Sequence, residues 1–189
     1  NQVANIKDSK VCSVPQDITD HDLLSLKTAG LISGYGRSVT LTDRAKLALR
    51  DHYLSQETVN EFRKSRTKPD FLKRVSEVIS ISQDRQRRDF RIARCRLIAH
   101  SDKNPRFSSL LKAEQSRINE SYTAFFVELQ RKGWMGNNVS PETAAVLVQA
   151  LTLGRVIDDV SEERISQTAW NNAFMKITKE IILGQSSSG

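Results

Sequence analysis

The sequence predicts an all-α helical bundle with a small helix-turn-helix or winged-type module at its N-terminal end. Apolar residues recur at helical spacing over most of the chain after residue 42, and helix-start and helix-stop residues punctuate that pattern. Strand-like sequence is confined to one short stretch within residues 31–41. Six or more helices joined by short links make a bundle.

Taken in order, residues 1–16 are polar and unpatterned and read as a tail or arm. Asp20 or Thr19 is an N-cap for a short helix with Leu23, Leu24 and Leu26, and Gly30 is its stop. Two readings compete for the next stretch. Leu31-Ile32 and Val39-Thr40-Leu41 form a wing-like hairpin, or Ser33 to Val39 form the second helix of an altered helix-turn-helix. Two glycines and β-branched residues favour the hairpin locally.

Thr42-Asp43 then cap a helix that carries apolar positions to about Phe62. Arg63 to Pro69 is a charged connection closed by proline. Phe71, Leu72, Val75, Val78 and Ile79 recur at helical spacing until Ser80–Asp84 interrupts them. A further helix holds Phe90, Ala93, Leu97 and Ile98. The longest helix carries Phe107, Leu110, Leu111, Ile118, Tyr122, Phe125, Phe126 and Leu129 and stops at Gly133.

Ser140-Pro141-Glu142 starts the next helix, because serine accepts from free N–H groups, proline suits the first position and glutamate favours the positive end. This helix is apolar on two faces. Ala144, Leu147, Val148 and Leu151 form one stripe; Val146, Ala150, Leu153 and Ile157 form another. A helix apolar on both sides is buried on both sides, either as the central core helix of a monomer or with one side against its own core and the other against a partner. The last helix spans about Ser161 to Leu183, with Ile165, Ala169, Trp170, Ala173, Phe174, Ile177 and Ile181 on its buried side, before an SSSG tail.

Composition bounds the function. A chain of 189 residues is one domain, or one plus a small appendage. No run approaches the roughly 18 apolar residues of a membrane span, and the N-terminus lacks a signal peptide's hydrophobic region. Cys12 and Cys95 lie far apart, with no CxxC and no paired histidines, which argues against a zinc site or disulfide scaffold and fits a cytoplasmic protein. The net charge of +7 is uneven. Twelve basic and five acidic residues lie between Glu61 and Arg96, whereas residues 137–189 hold four basic and six acidic ones. Any polyanion contact therefore points to the first half. His21, His52 and His100 are isolated, and no nucleophile elbow, P-loop or dinucleotide fingerprint is present. Asp158-Asp159 and Glu162-Glu163 suit a helix boundary better than a cation. Nothing in the sequence argues for an enzyme or a cofactor.

Two resemblances follow. His100-Ser101-Asp102-Lys103-Asn104-Pro105 with Arg117–Tyr122 resembles the HPDKNP…INEAY of J-domain co-chaperones. It departs at Ser101, the centre of the triplet that family uses to engage its chaperone partner. The second covers more of the chain. From about Arg85 onward, DKNPRFSSLL, the long helix to AFFVELQRKGW, SPETAAVLVQALTLGRVIDD and a last helix with Trp170 and Phe174 resemble the C-terminal region of TetR-family transcriptional regulators. Near the N-terminus, Ala29–Ser33 is similar to that family's turn and LTDRAKLALRDHYL to the helix after its recognition helix. The recognition helix departs: Tyr35 and Gly36 stand in its place and no Phe follows.

The resemblance implies a divergent DNA-binding-like module over residues 1–62 and a helical ligand-binding and dimerisation domain over 63–189. It implies a homodimeric regulator of double-stranded DNA, in which a small apolar ligand alters DNA affinity by changing dimer geometry. The alternative is a TetR-like interaction or adaptor module that no longer reads DNA. Expected DNA contacts are Ser33, Tyr35, Arg37, Ser38, Arg44 and Lys46, the cations meeting phosphates. Expected pocket residues are Leu97, Phe107, Leu111, Phe125, Phe126, Trp134, Leu147 and Phe174, of which about a third would touch a ligand. Expected dimer residues are Leu147, Val148, Leu151, Trp170, Phe174 and Ile177.

Overall fold

The structure is a computed structural model that describes residues 23–34, 39–50, 56–101 and 104–184. It is mostly helical. Among the described residues eight α-helices occur: α1 (Leu24–Thr28), α2 (Asp43–Arg50), α3 (Gln56–Arg63), α4 (Lys68–Ser82), α5 (Arg88–Ala99), α6 (Pro105–Arg131), α7 (Pro141–Asp159) and α8 (Gln167–Ile177). Between α1 and α2 lie β1 (Ile32–Ser33) and β2 (Thr40–Leu41), paired antiparallel with Ile32 opposite Leu41 and Ser33 opposite Thr40. Ser33 thus sits in a ladder rather than in a second helix, and the hairpin is the form adopted. Asp20 and Thr19, read as caps of α1, lie outside the described residues, as does the polar arm.

Most helix starts follow one chemical formula. Thr67 Oγ1 accepts from Asp70 N (3.3 Å), Asn104 Oδ1 from Phe107 N (3.0 Å) and Ser140 Oγ from Thr143 N (3.2 Å), and each cap has a proline in the first helical turn. Each satisfies an N–H with no partner inside the helix, and proline's missing donor costs nothing there. Thr42 caps α2 in the same way (Ala45 N to Thr42 Oγ1, 3.2 Å). Gly30 (φ +67°) and Gly133 (φ +69°) adopt the left-handed conformation just beyond α1 and α6, which halts both helices.

The core is one cluster running from Leu23 to Leu183. Phe62 packs edge-on to Phe71 (5.6 Å between centroids) and against Phe125 (5.5 Å), and Trp134 stacks on Phe71 (5.4 Å). Core residues on both sides of the expected boundary at 62/63 therefore share one interior. Helix α6 lies along α7, α5 contacts both α2 and α7, and α4 packs on α8.

Four expectations need correction. Helix α4 continues through Ser80–Ser82, capped at Gln83, because Ser82 satisfies its hydroxyl on Ile79 O (3.2 Å) without breaking the helix. The last helix begins at Gln167, six residues late: Ser166 caps it (Ala169 N to Ser166 Oγ, 3.1 Å), while Ile165 N donates to Asp158 Oδ1 (2.7 Å) and holds the preceding segment open. On that helix Phe174 is buried, Trp170 and Ile177 are half-buried, and Ala169 and Ala173 are exposed, as are Ile165 before it and Ile181 after it. On α5, Ala93 and Leu97 are buried but Phe90 and Ile98 are exposed, because Arg91 and Arg94 take the inward positions.

Helix α7 divides its two stripes unequally. Ala144 and Val148 are fully buried, and Leu147 and Leu151 pack half-buried on the core. On the other face Val146 is 55% exposed and Ile157 74% exposed, with Val160 just past the helix at 64%.

Candidate functional site

The N-terminal face is built by the hairpin and α2. Ser33 Oγ and Thr40 Oγ1 share a hydrogen bond of 2.9 Å, which ties the strands on their exposed side. Thr42 Oγ1 donates to Gly30 O (2.8 Å) and so anchors the start of α2 to the end of α1. Arg44 and Lys46 are exposed on α2, and Lys46 lies 3.8 Å from Asp43. Tyr35, Arg37 and Ser38 lie outside the described residues. His100, at the end of α5, has Nδ1 2.8 Å from Arg96 O and Nε2 3.0 Å from Ser25 Oγ on α1. The carbonyl can only accept, so the neutral ring carries its proton on Nδ1 and Nε2 accepts from the serine. His100 is thus a bridge between helices.

The basic stretch from Glu61 to Arg96 is less free than its charge count. Arg63 pairs with Glu128 (2.9 Å), and Glu61 pairs with Lys64 and with Arg74 (3.4 Å). The Lys64 hydrogen bond holds the Glu61 carboxyl below the ordinary glutamate range. Burial pushes Glu128 up, but Arg63 and Lys132 together outweigh it and leave it below that range. Burial holds the Cys95 thiol above its ordinary value despite Arg94, so it stays protonated at neutral pH.

Arg91 and Arg94 leave the surface altogether. Arg91 Nε and Nη2 grip Asp159 Oδ2 and Oδ1 (2.6 and 2.9 Å), both side chains being 3% exposed, and Nη1 donates to Ser82 O and Asp84 O (3.3 and 3.1 Å). One turn earlier on α7, fully buried Arg155 faces Asp158 Oδ2 at 3.3 Å and lies over the Trp170 ring at 4.8 Å. Burial pulls the Arg155 guanidinium below its ordinary value, partly offset by Asp158 and Asp159. Trp170 Nε1 donates to Gln83 Oε1 (3.1 Å). Two arginines and two aspartates thus close the end of α7 against α4, α5 and α8 with no net charge. Asp158 and Asp159 do not simply face solvent at a helix boundary.

A third feature lies between α5, α6 and the first half of α7. Here an open groove of about 420 Å³ is lined by Ile98, Leu111, Val146, Ala150 and Leu153, with Arg94, Ser101, Lys112, Gln115, Asn119 and Gln149 as its polar part. The amides are locked together. Gln149 Nε2 and Gln115 Nε2 both donate to Asn119 Oδ1 (2.9 Å each), and Gln149 Oε1 accepts from Gln115 Nε2 (2.7 Å) and from Arg94 Nη2 (3.0 Å).

Of the eight expected pocket residues, Leu97, Phe107, Phe125, Phe126 and Phe174 are buried core, Trp134 and Leu147 pack half-buried against it, and Leu111 alone of them also lines this groove. Of the expected dimer residues, Val148 and Phe174 are buried within the protomer, while Leu147, Leu151, Trp170 and Ile177 are half-buried. The residues missed were the inward arginines and the amide cluster. A signal for them existed: Arg91, Arg94 and Leu97 recur at a spacing of three on one helix face, and Gln149 sits beside Val148 and Thr152 in a buried run.

No protein-family profile, curated protein or solved structure matches this chain.

Proposed function

We propose that the chain is a TetR-like, homodimeric DNA-binding regulator that a small ligand modulates. The observation that carries this reading is the uncovered apolar face of α7. Val146 and Ile157 project from a helix whose opposite face is already packed on α6, and Val160 continues that face past its end. Exposed apolar side chains aligned along one helix suit a second helical surface, and a two-fold copy of the same face is self-complementary. The hairpin and α2 supply the other half of the reading: Ser33 on the hairpin and Arg44 and Lys46 on α2 are each exposed, and the cations suit phosphate contacts.

The test is duplex binding by fluorescence anisotropy, on random and own-promoter fragments across a salt series. The proposal expects preference for the promoter and an affinity that falls steeply as salt rises. Absence of binding at low salt removes the DNA reading and leaves the interaction-module alternative.

A further inference from the structure

Among the described residues, Arg94 is a buried cation without a counter-ion. It is 5% exposed, and among the described residues no carboxylate lies within ion-pair distance of it. Its Nη2 reaches Gln149, but Nε and Nη1 are shut off from water with no acceptor. Neighbouring Arg91, one turn earlier on the same helix, has a bidentate aspartate and two carbonyls. A buried guanidinium left unpaired is strongly disfavoured unless something outside the chain completes it. The nearby amides cannot: Gln149 Oε1 already accepts twice, and Asn119 Oδ1 is held by the two glutamines.

The space beside this cation is aliphatic and open. Ile98, Leu111, Val146 and Leu153 line the groove that Arg94 helps form. The geometry points to a binding site for an unbranched aliphatic carboxylate, with the acid's two oxygens on Arg94 and its chain along the trough between α5 and α7. A carboxylate supplies the negative charge and the acceptors that Nε and Nη1 lack, exposed Lys112 in the same lining adds a second cation that favours an acid, and an alkyl chain needs no polar partner from the aliphatic wall. Entry involves a turn of the guanidinium toward the opening, since Nε and Nη1 are closed to solvent. The site is distinct from the aromatic core around Phe71 and Phe125. It assigns a chemical class to the effector of the proposed regulator, and depends on that reading only for the word effector.

Calorimetric titration of the full chain with decanoate, decanol and acetate, in the absence of DNA, tests the site separately from DNA binding. Decanoate binds, while decanol and acetate are weaker by about tenfold or more, the loss of one charge-assisted hydrogen bond or of the buried chain. Arg94→Met abolishes the preference for decanoate over decanol, and its melting temperature equals or exceeds the parent's, because an unpaired buried charge has been removed. Ala150→Phe, at an exposed position, fills the trough and blocks decanoate while leaving Arg94 in place. Equal binding of decanoate and decanol overturns the inference, as does decanoate binding that survives in both variants. A change of sedimenting mass in Ala150→Phe with no decanoate binding in the parent overturns it too, and assigns the trough to a second copy.

Discussion

Replacing Asp159 with asparagine keeps the volume of the side chain, removes its charge and turns one of its two acceptor oxygens into an NH2 donor. Arg91 then remains 3% exposed with its guanidinium facing a neutral amide, and of its two short contacts (2.6 and 2.9 Å) one keeps an oxygen acceptor while the other meets an NH2 donor. Ser82 O and Asp84 O still accept from Nη1, so hydrogen bonding is not wholly lost, but neither carbonyl carries a compensating charge. Breaking a buried pair by removing one partner costs about 3–5 kcal/mol. For a chain of this size that lowers Tm by about 6–20 °C, at roughly 2–4 °C per kcal/mol. Urea unfolding followed by far-UV circular dichroism measures it, with Trp fluorescence as the second probe because Trp170 borders this cluster. Arg91→Met in the Asp159→Asn background completes a double-mutant cycle, and the double variant recovers part of the loss because no stranded charge remains. A single Asp159→Asn variant within about 1 kcal/mol of the parent, the range of a solvent-exposed pair, refutes the reasoning.

Other perturbations probe separate parts of the molecule. Ile157→Glu places a charge at a 74% exposed position, so the fold survives and sedimentation shifts from dimer to monomer; an unchanged mass with an intact circular dichroism spectrum removes this face as the interface. Phe71→Ala empties the centre of the aromatic cluster and costs about 3–5 kcal/mol in urea unfolding, and a loss below about 1 kcal/mol shows that Trp134 and Phe125 close the gap. Glu128 sits below the ordinary glutamate range when folded, so the unfolded chain binds more protons across that window and stability rises with pH through it. Its contribution is complete above the ordinary value and disappears as pH falls through the lowered one. The parent's advantage over Glu128→Gln therefore shrinks as pH falls through the ordinary glutamate range and below it, and an advantage independent of pH contradicts that assignment.

Helix starts were readable because capping chemistry is local. Ser140-Pro141 and Thr42-Asp43 announce themselves within a few residues, and the structure uses both. Burial was less readable, for reasons that particular residues make plain. Ile165 and Ile181 count as core by hydropathy, yet each is about half exposed, because the segment before α8 is pinned by Asp158 and the chain after it passes into a π-turn over Thr178–Ile182. Arg91 and Arg94 count as solvent-facing by charge, but their partners, Asp159 and Gln149, lie 68 and 55 residues away. Local periodicity carries no information about a partner at that distance. The groove beside Arg94 was invisible for the same cause: its walls come from three helices, and only their packing brings Ile98, Leu111 and Leu153 together.

Helix α7 also shows what polar contacts in an interior accomplish. Its inward side holds Gln149, Thr152, Arg155 and Asp159 beside Ala144, Ala145 and Val148, while Val146 and Ile157 lie on its outward side. Turned half-way about its axis, such a helix would still present the bundle with an apolar stripe of Val146, Ala150, Leu153 and Ile157, so solvent avoidance alone distinguishes the two rotations poorly. The orientation is decided instead by matching. Only in the observed rotation does Asp159 meet Arg91 and does Gln149 meet Arg94. The apolar residues tell the helix to lie against its neighbours; a few mated side chains tell it which way to face.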